Sequence, residues 1–158
     1  MKILVTTIPF GQKDRKPLEI LESVGADIQI NPLGRKLTEA DLADLIPGTD
    51  ILIAGTEPIT ESVLDRANQL KLIARVGIGL DSVDLLAARA RQVAVSYTPD
   101  APSPAVAELT IGLMIDLLRN SHVSNLRLHQ GAWYRFFGKR LTEVTIGIIG
   151  LGRIGSRV

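Results

Sequence analysis

Val144-Thr145-Ile146-Gly147-Ile148-Ile149-Gly150-Leu151-Gly152-Arg153-Ile154-Gly155 is the stretch on which the reading of this chain turns. The apolar run Val144–Ile149 is rich in β-branched residues and suits a strand buried on both faces. It passes directly into a Gly-x-Gly-x-x-Gly sequence, whose spacing answers a physical demand. Gly150 permits a tight strand-to-helix turn, Gly152 lets a pyrophosphate approach the backbone, and Gly155 lets the next helix pack close to its strand. That helix would aim its free N–H groups at the phosphates. The bland reading is a glycine-rich turn between packed elements; the strand directly before the glycines favours a dinucleotide site made by Gly150, Gly152, Arg153, Ile154 and Gly155. The acidic partner of the ribose is expected about 20 residues further on, past Val158. The sequence therefore reads as cut off where its cofactor site opens, and the choice between NAD and NADP stays open.

Working outward, residues 1–98 alternate apolar runs with helical patterns. Strands are expected at Ile3–Thr7, Ile28–Asn31, Ile51–Ala54, Leu72–Val76 and Val93–Ser96. Between them, helices are expected from Pro17 to Gly25, from Thr38 to Pro47, from Thr60 to Ala67 and from Asp81 to Arg91. Pro17 suits a first turn, and Thr38-Glu39-Ala40-Asp41 has the form of a capping box. Five strands separated by helices predict an α/β fold, a flavodoxin-like doubly wound parallel sheet. Ligands of such sheets gather at the carboxyl ends of the strands, where the loops are Ile8–Gly11, Leu33–Arg35, Gly55–Pro58 and Gly77–Asp81.

Tyr97–Pro104 holds three prolines in six residues, at 99, 102 and 104, which restrict the chain to a stiff linker. The domain boundary is placed here, giving domains 1–98 and 99–158. One long helix is expected from Ala105 to about His129, apolar almost all round until Arg119. Such a helix must be covered on every side. Gly131-Ala132-Trp133-Tyr134-Arg135-Phe136-Phe137 then gathers four of the six aromatic residues.

Composition narrows the function. The 158 residues are 46% hydrophobic and 22% charged, as in an ordinary globular chain with a sizeable core. No apolar run approaches the roughly 20 residues of a bilayer span, and Met1-Lys2-Ile3-Leu4-Val5 enters a strand without a signal-peptide pattern. The absence of cysteine excludes disulfides and thiol chemistry and fits a cytoplasmic protein. A net charge of +1 argues against a nucleic-acid partner. Residues 1–98 hold 11 basic and 13 acidic side chains against 7 and 4 in residues 99–158, a bias of +3 compatible with an anionic cofactor.

Three motifs carry a resemblance: Ala74-Arg75-Val76-Gly77-Ile78-Gly79-Leu80-Asp81-Ser82-Val83-Asp84; Ala105-Val106-Ala107-Glu108-Leu109-Thr110-Ile111-Gly112-Leu113; and Gly131-Ala132-Trp133 followed by Gly147–Gly155. In order and spacing they resemble the D-isomer-specific 2-hydroxyacid dehydrogenases of the phosphoglycerate and glyoxylate/hydroxypyruvate type, from about residue 50 onward. Ser82 stands where that family commonly has asparagine, and Leu141–Val144 where it has a Gly-Lys pair. The resemblance implies an NAD-dependent oxidoreductase moving hydride between nicotinamide and C2 of a D-2-hydroxy acid or 2-oxo acid. Residues 1–98 would form most of the substrate domain; residues 99–158 would be the opening helix and first strand of a Rossmann NAD domain. It also implies a substrate carboxylate held by the main-chain amides of Val76 and Gly77, with Thr56 nearby and Ile78 flanking the nicotinamide. The family's catalytic arginine, glutamate and histidine fall past Val158, so no catalytic residue is assigned and the chain alone is expected to be inactive. A homodimer through residues 103–150 is implied, with Trp133 reaching the other subunit.

Other candidates reduce to structure. His122 and His129 share a helix face without an orienting partner. Arg75 is expected beside the Gly77 loop, where it could pair with a carboxylate. Glu108 reads as a paired structural carboxylate, and no His/Asp/Glu spacing suggests a metal. The alternative function is a non-catalytic flavodoxin-like dimerisation or binding module from a truncated gene, which would have no need of the three fingerprint glycines.

Overall fold

Each of the first five apolar runs becomes a short strand followed by a helix or a turn. The computed structural model describes all residues from Met1 to Val158, and the chain divides into two units, Met1–Pro99 and Asp100–Val158. In the first unit the order is β1 (Lys2–Val5), α1 (Lys16–Ser23), β2 (Asp27–Ile30), α2 (Glu39–Leu45), β3 (Ile51–Ala54), α3 (Glu61–Asp65), β4 (Leu72–Arg75), α4 (Leu85–Ala90) and β5 (Ala94–Tyr97). All strand pairs are parallel, and the sheet order is β2-β1-β3-β4-β5. This is the doubly wound, flavodoxin-like order expected from the alternation. In register, Leu4 stands beside Leu52, and Leu52 beside Ile73.

These three residues are wholly buried, as are Leu42 and Ile46 from α2 and its end, Val63 from α3 and Ala88 from α4. β1 buries Ile3, Leu4 and Val5 in succession, as a strand covered on both faces must. The outer strands β2 and β5 have no fully buried residue. Helix starts follow side-chain chemistry. Thr38 accepts the Asp41 N–H at 3.2 Å while Asp41 Oδ2 accepts the Thr38 N–H at 2.8 Å. Thr60 likewise caps Val63, and Asp84 caps Ala87 at 2.9 Å. The helix expected from Asp81 therefore starts after Asp84; the preceding residues form a turn, and Val83 makes an isolated parallel bridge to Ile59.

The second unit departs from expectation twice. The single helix expected from Ala105 to His129 is two, α5 (Ser103–Arg119) and α6 (Ser121–His129). They are separated by Asn120 at φ 54° and ψ 34°. Asparagine enters this left-handed region more readily than most residues, and its N–H still closes α5 on the Asp116 carbonyl. The strand expected at Val144–Ile149 does not form; the segment is irregular and Ile149 is fully exposed. A parallel strand exists only through hydrogen bonds to neighbouring strands, and this unit contains no other strand. No helix in the chain is long and apolar enough to cross a membrane.

Two predictions concern α2. Thr38→Ala removes the cap and should lower unfolding stability by about 1 kcal/mol, read as a lower denaturant midpoint with an unchanged slope. Hydrogen bonds from Arg35 and Thr38 hold the Asp41 carboxyl well below the usual carboxylate range. Its contribution is thus complete above the unfolded-state value near 4 and is lost as pH falls through the lower folded-state value. Acid unfolding curves of Asp41→Asn should lack that component.

Candidate functional site

The carboxyl edge of the sheet, where parallel strands release their last backbone groups, carries a cavity of about 160 Å³. Thr6, Thr7 and Ile8 line it after β1, Gly55, Thr56 and Glu57 after β3, and Val76 after β4, with Lys36 at the remaining side. Thr56, a predicted contact, is exposed there. Glu57 is 2% exposed. Its Oε1 accepts the Thr6 hydroxyl and, at 3.0 Å, the Gly55 N–H, so one carboxyl oxygen ties the β3 loop to the end of β1. Thr6 is itself fixed, because its N–H donates to the Ile53 carbonyl at 2.9 Å. Gly55 is required by crowding: a Cβ there would stand 2.9 Å from Glu57 Oε2 and 3.2 Å from Thr7 Cα. Asn31 braces the same edge by donating to the carbonyls of Thr6, at 3.1 Å, and Arg35, at 2.8 Å.

The loop after β4 corrects one expectation. The amides of Val76 and Gly77 are not free to cradle an anion. The Val76 N–H donates to the Ala54 carbonyl at 2.9 Å, because the β3–β4 ladder continues one residue past the strand. The Gly77 N–H donates to Thr98 Oγ1 at 2.8 Å, and the Thr98 N–H returns a bond to the Gly77 carbonyl at 3.0 Å. The next two amides, of Ile78 and Gly79, have no partner within the chain. Gly77 has φ 141°, and a Cβ on it would overlap the Arg75 guanidinium, which folds back to donate to the Val76 carbonyl. Arg75 pairs with no carboxylate, and its Nε is buried without a partner.

In the second unit the glycine fingerprint forms a single turn. Gly150 has φ 95°, and the Ser156 N–H donates to the Gly152 carbonyl at 3.0 Å. A Cβ on Gly155 would collide with the Gly150 carbonyl, whereas nothing lies within 4 Å of the Cβ position of Gly152. Gly155 therefore closes the turn and Gly152 leaves the outer approach open. The amides of Arg153, Ile154 and Gly155 carry no partner. An open backbone approach with unpaired first-turn amides fits a pyrophosphate. Arg153 Nε holds Asp100 at 3.1 Å.

The remaining candidates are dispersed. His122 and His129 are exposed on α6. Glu108 is exposed and makes no ion pair, contrary to the expected pairing; it faces an open groove with Pro104, Ala107 and Arg157. Trp133 is exposed beside the Tyr134–Phe136 edge-to-face pair, whose ring centroids lie 4.6 Å apart. No group of three metal-ligating side chains occurs. Sequence reading missed Thr6, Lys36, Glu57 and Thr98 as site residues. Only Glu57 left a signal, an acidic residue three positions after a buried strand.

Comparison with known proteins closes on one group. The profile described as D-isomer specific 2-hydroxyacid dehydrogenase, catalytic domain, matches residues 3–150. A D-3-phosphoglycerate dehydrogenase of Methanocaldococcus jannaschii is 40% identical over the whole chain, which covers 29% of that relative. A hydroxypyruvate reductase of Thermotoga maritima is 37% identical over 77% of the chain and 41% of the relative. Among solved structures, a Thermus thermophilus protein superposes with TM-score 0.89 at 34% identity, covering 99% of this chain and 51% of that one. An NAD⁺-bound 3-phosphoglycerate dehydrogenase of Entamoeba histolytica gives TM-score 0.78 at 30% identity, over 99% and 48%. The chain thus spans about half or less of the length of the proteins it matches. With the profile running from β1 to the first fingerprint glycine, this chain belongs to the D-isomer specific 2-hydroxyacid dehydrogenase family.

Proposed function

We propose that residues 1–98 form the substrate domain and residues 99–158 the opening of the NAD domain of an oxidoreductase acting on D-2-hydroxy acids and their 2-oxo forms. NAD, when bound, supplies or accepts the hydride. The names of two relatives, phosphoglycerate dehydrogenase and hydroxypyruvate reductase, and the NAD⁺-bound solved relative support both the chemistry and the cofactor; NADP stays open. The absence of cysteine supports a cytoplasmic setting.

The observation that carries the reading is a loop with two unpaired amides, Ile78 and Gly79, in continuity with Val76 on the wall of a small cavity. Successive free N–H groups make an anion-binding concavity, suited to the carboxylate of the substrate. Val76 walls the pocket, Gly77 sets the turn that aims the next two amides, and Thr56 offers a hydroxyl. In the second unit Gly150, Gly152, Arg153, Ile154 and Gly155 would hold the pyrophosphate. Hydride transfer also needs a cation at the carbonyl and a proton donor working near neutral pH. Neither histidine lies in the unit that holds the cavity.

The second unit supports a homodimer through residues 103–150, with Trp133 extending to the other subunit. α5 buries only Ser103 and Ala107, leaving Leu109, Leu113, Ile115 and Leu117 exposed, and Trp133 and Phe137 are open as well. Apolar surface on this scale marks an interface.

Three measurements check these assignments. Adding lactate or glyoxylate to the labelled chain should shift the amide resonances of Ile78 and Gly79; unchanged resonances at high acid concentration would remove the site. NADH absorbance should meanwhile stay flat with glyoxylate, hydroxypyruvate or pyruvate, whereas steady protein-dependent oxidation would show that the chain holds its own proton donor. Sedimentation should give a dimer at micromolar concentration, dissociated by Leu113→Glu with Leu117→Glu; a stable wild-type monomer would count against the interface.

A further inference from the structure

The cavity on the carboxyl edge contains one group that acid binding by the Ile78–Gly79 loop does not use. Glu57 is almost completely buried, yet only one of its oxygens is occupied: Oε1 takes both the Thr6 hydroxyl and the Gly55 N–H. Oε2 has no hydrogen-bond partner in the chain, although it is not sealed from solvent-sized space, and the residue lines the cavity. Gly55 is what keeps that oxygen uncovered, since a Cβ at that position would come within 2.9 Å of it. The fold thus holds the carboxyl group by one oxygen and leaves the other without a partner, in a residue that lines a space of about 160 Å³, well under the roughly 300–1,000 Å³ of pockets for larger ligands.

We propose that Glu57 determines substrate selectivity, making the pocket one for a small 2-hydroxy or 2-oxo acid with a hydroxyl donor on the carbon next to the reacting centre, and against phosphorylated acids. The proposal rests on the placement of the substrate carboxylate at Ile78 and Gly79. Val76, two residues before Ile78, is on the cavity wall, so in this placement the tail of the acid would enter a cavity whose walls otherwise offer threonine hydroxyls and one ammonium, Lys36, from an exposed position. Glu57 Oε2 is an acceptor without a donor. A tail hydroxyl satisfies it; a methyl group leaves it unpaired and shut off from water, which is costly. A phosphate at the same place sets like charges together where solvent screening is weak. Sites built to accept from a ligand hydroxyl discriminate strongly against analogues lacking it.

The test uses the labelled 158-residue chain and four probes: D-glycerate, D-lactate, 3-phospho-D-glycerate and 3-amino-2-hydroxypropanoate. Binding is followed at the Ile78, Gly79 and Gly55 amides. Glycerate should bind about tenfold more tightly than lactate or phosphoglycerate, a difference of about 1.4 kcal/mol. The amino compound, which offers an ammonium, should bind at least as tightly as glycerate. Glu57→Gln keeps the shape and the Oε1 bonds, and should reduce the glycerate–phosphoglycerate gap to about threefold or less. Equal or tighter binding of phosphoglycerate by the wild-type chain overturns the proposal, as does weaker binding of the amino compound than of glycerate. A gap retained in a folded Glu57→Gln chain overturns it too, while leaving the acid site standing. Should Glu57→Gln fail to fold, the wild-type order of the four probes decides. If no probe moves Ile78 or Gly79, the acid site itself fails and the selectivity proposal falls with it.

Discussion

A parallel strand is satisfied only from the side, by neighbours that take its N–H and C=O groups. That requirement governs both halves of this chain. In residues 1–99 four parallel pairings meet it: β1, β3 and β4 lie between other strands, and helices seal apolar side chains such as Leu4, Leu52 and Ile73. With the interior closed, the unpaired polar groups that form a cavity collect at the strand ends. In residues 100–158 an equally apolar run, Val144–Ile149, has no strand beside it and stays irregular, with Ile149 open to solvent. Apolar character selects where a strand is possible; a neighbour makes it one.

The carboxyl edge shows how the ladder shapes chemistry as well as fold. Because the β3–β4 pairing runs on to Val76, the first amide free of the sheet comes only after the chain has turned at Gly77. Thr98, just past β5, secures that turn from the adjacent strand. Glu57 secures the neighbouring loop from β1 by way of Thr6. Each loop of the cavity is thus held by a strand other than the one it leaves, so the pocket is braced across the sheet.

Much of this was legible in the sequence. Alternating apolar runs and capping residues located five strands and four helices, and Thr38, Thr60 and Asp84 cap helices as their side chains allow. Strand ends drifted by a residue or two because β propensity says where a strand is tolerated, and pairing decides where it stops. The contacts that define the pocket join residues distant in sequence, Thr6 with Glu57 and Gly77 with Thr98, and no local pattern announces them. Mistaking the amides of Val76 and Gly77 for free ones has the same origin, since the Ala54 carbonyl that occupies the first lies on another strand. The break at Asn120 is different. It is a local event at a residue type that tolerates left-handed backbone, hidden by helical periodicity on both sides.

The three-way packing of Thr6, Gly55 and Glu57 bears on how this pocket can change over evolutionary time. Any side chain at position 55 crowds Glu57, and loss of Glu57 strands the Gly55 N–H and leaves the Thr6 hydroxyl only the Ile53 carbonyl, at 3.1 Å. Single substitutions at these sites are therefore penalised before any new preference can be selected. A lineage that exchanged the buried acid for a cation would have to alter at least two of these positions in concert. The exposed Thr56 and Lys36, which belong to the same cavity wall, are free to drift one step at a time.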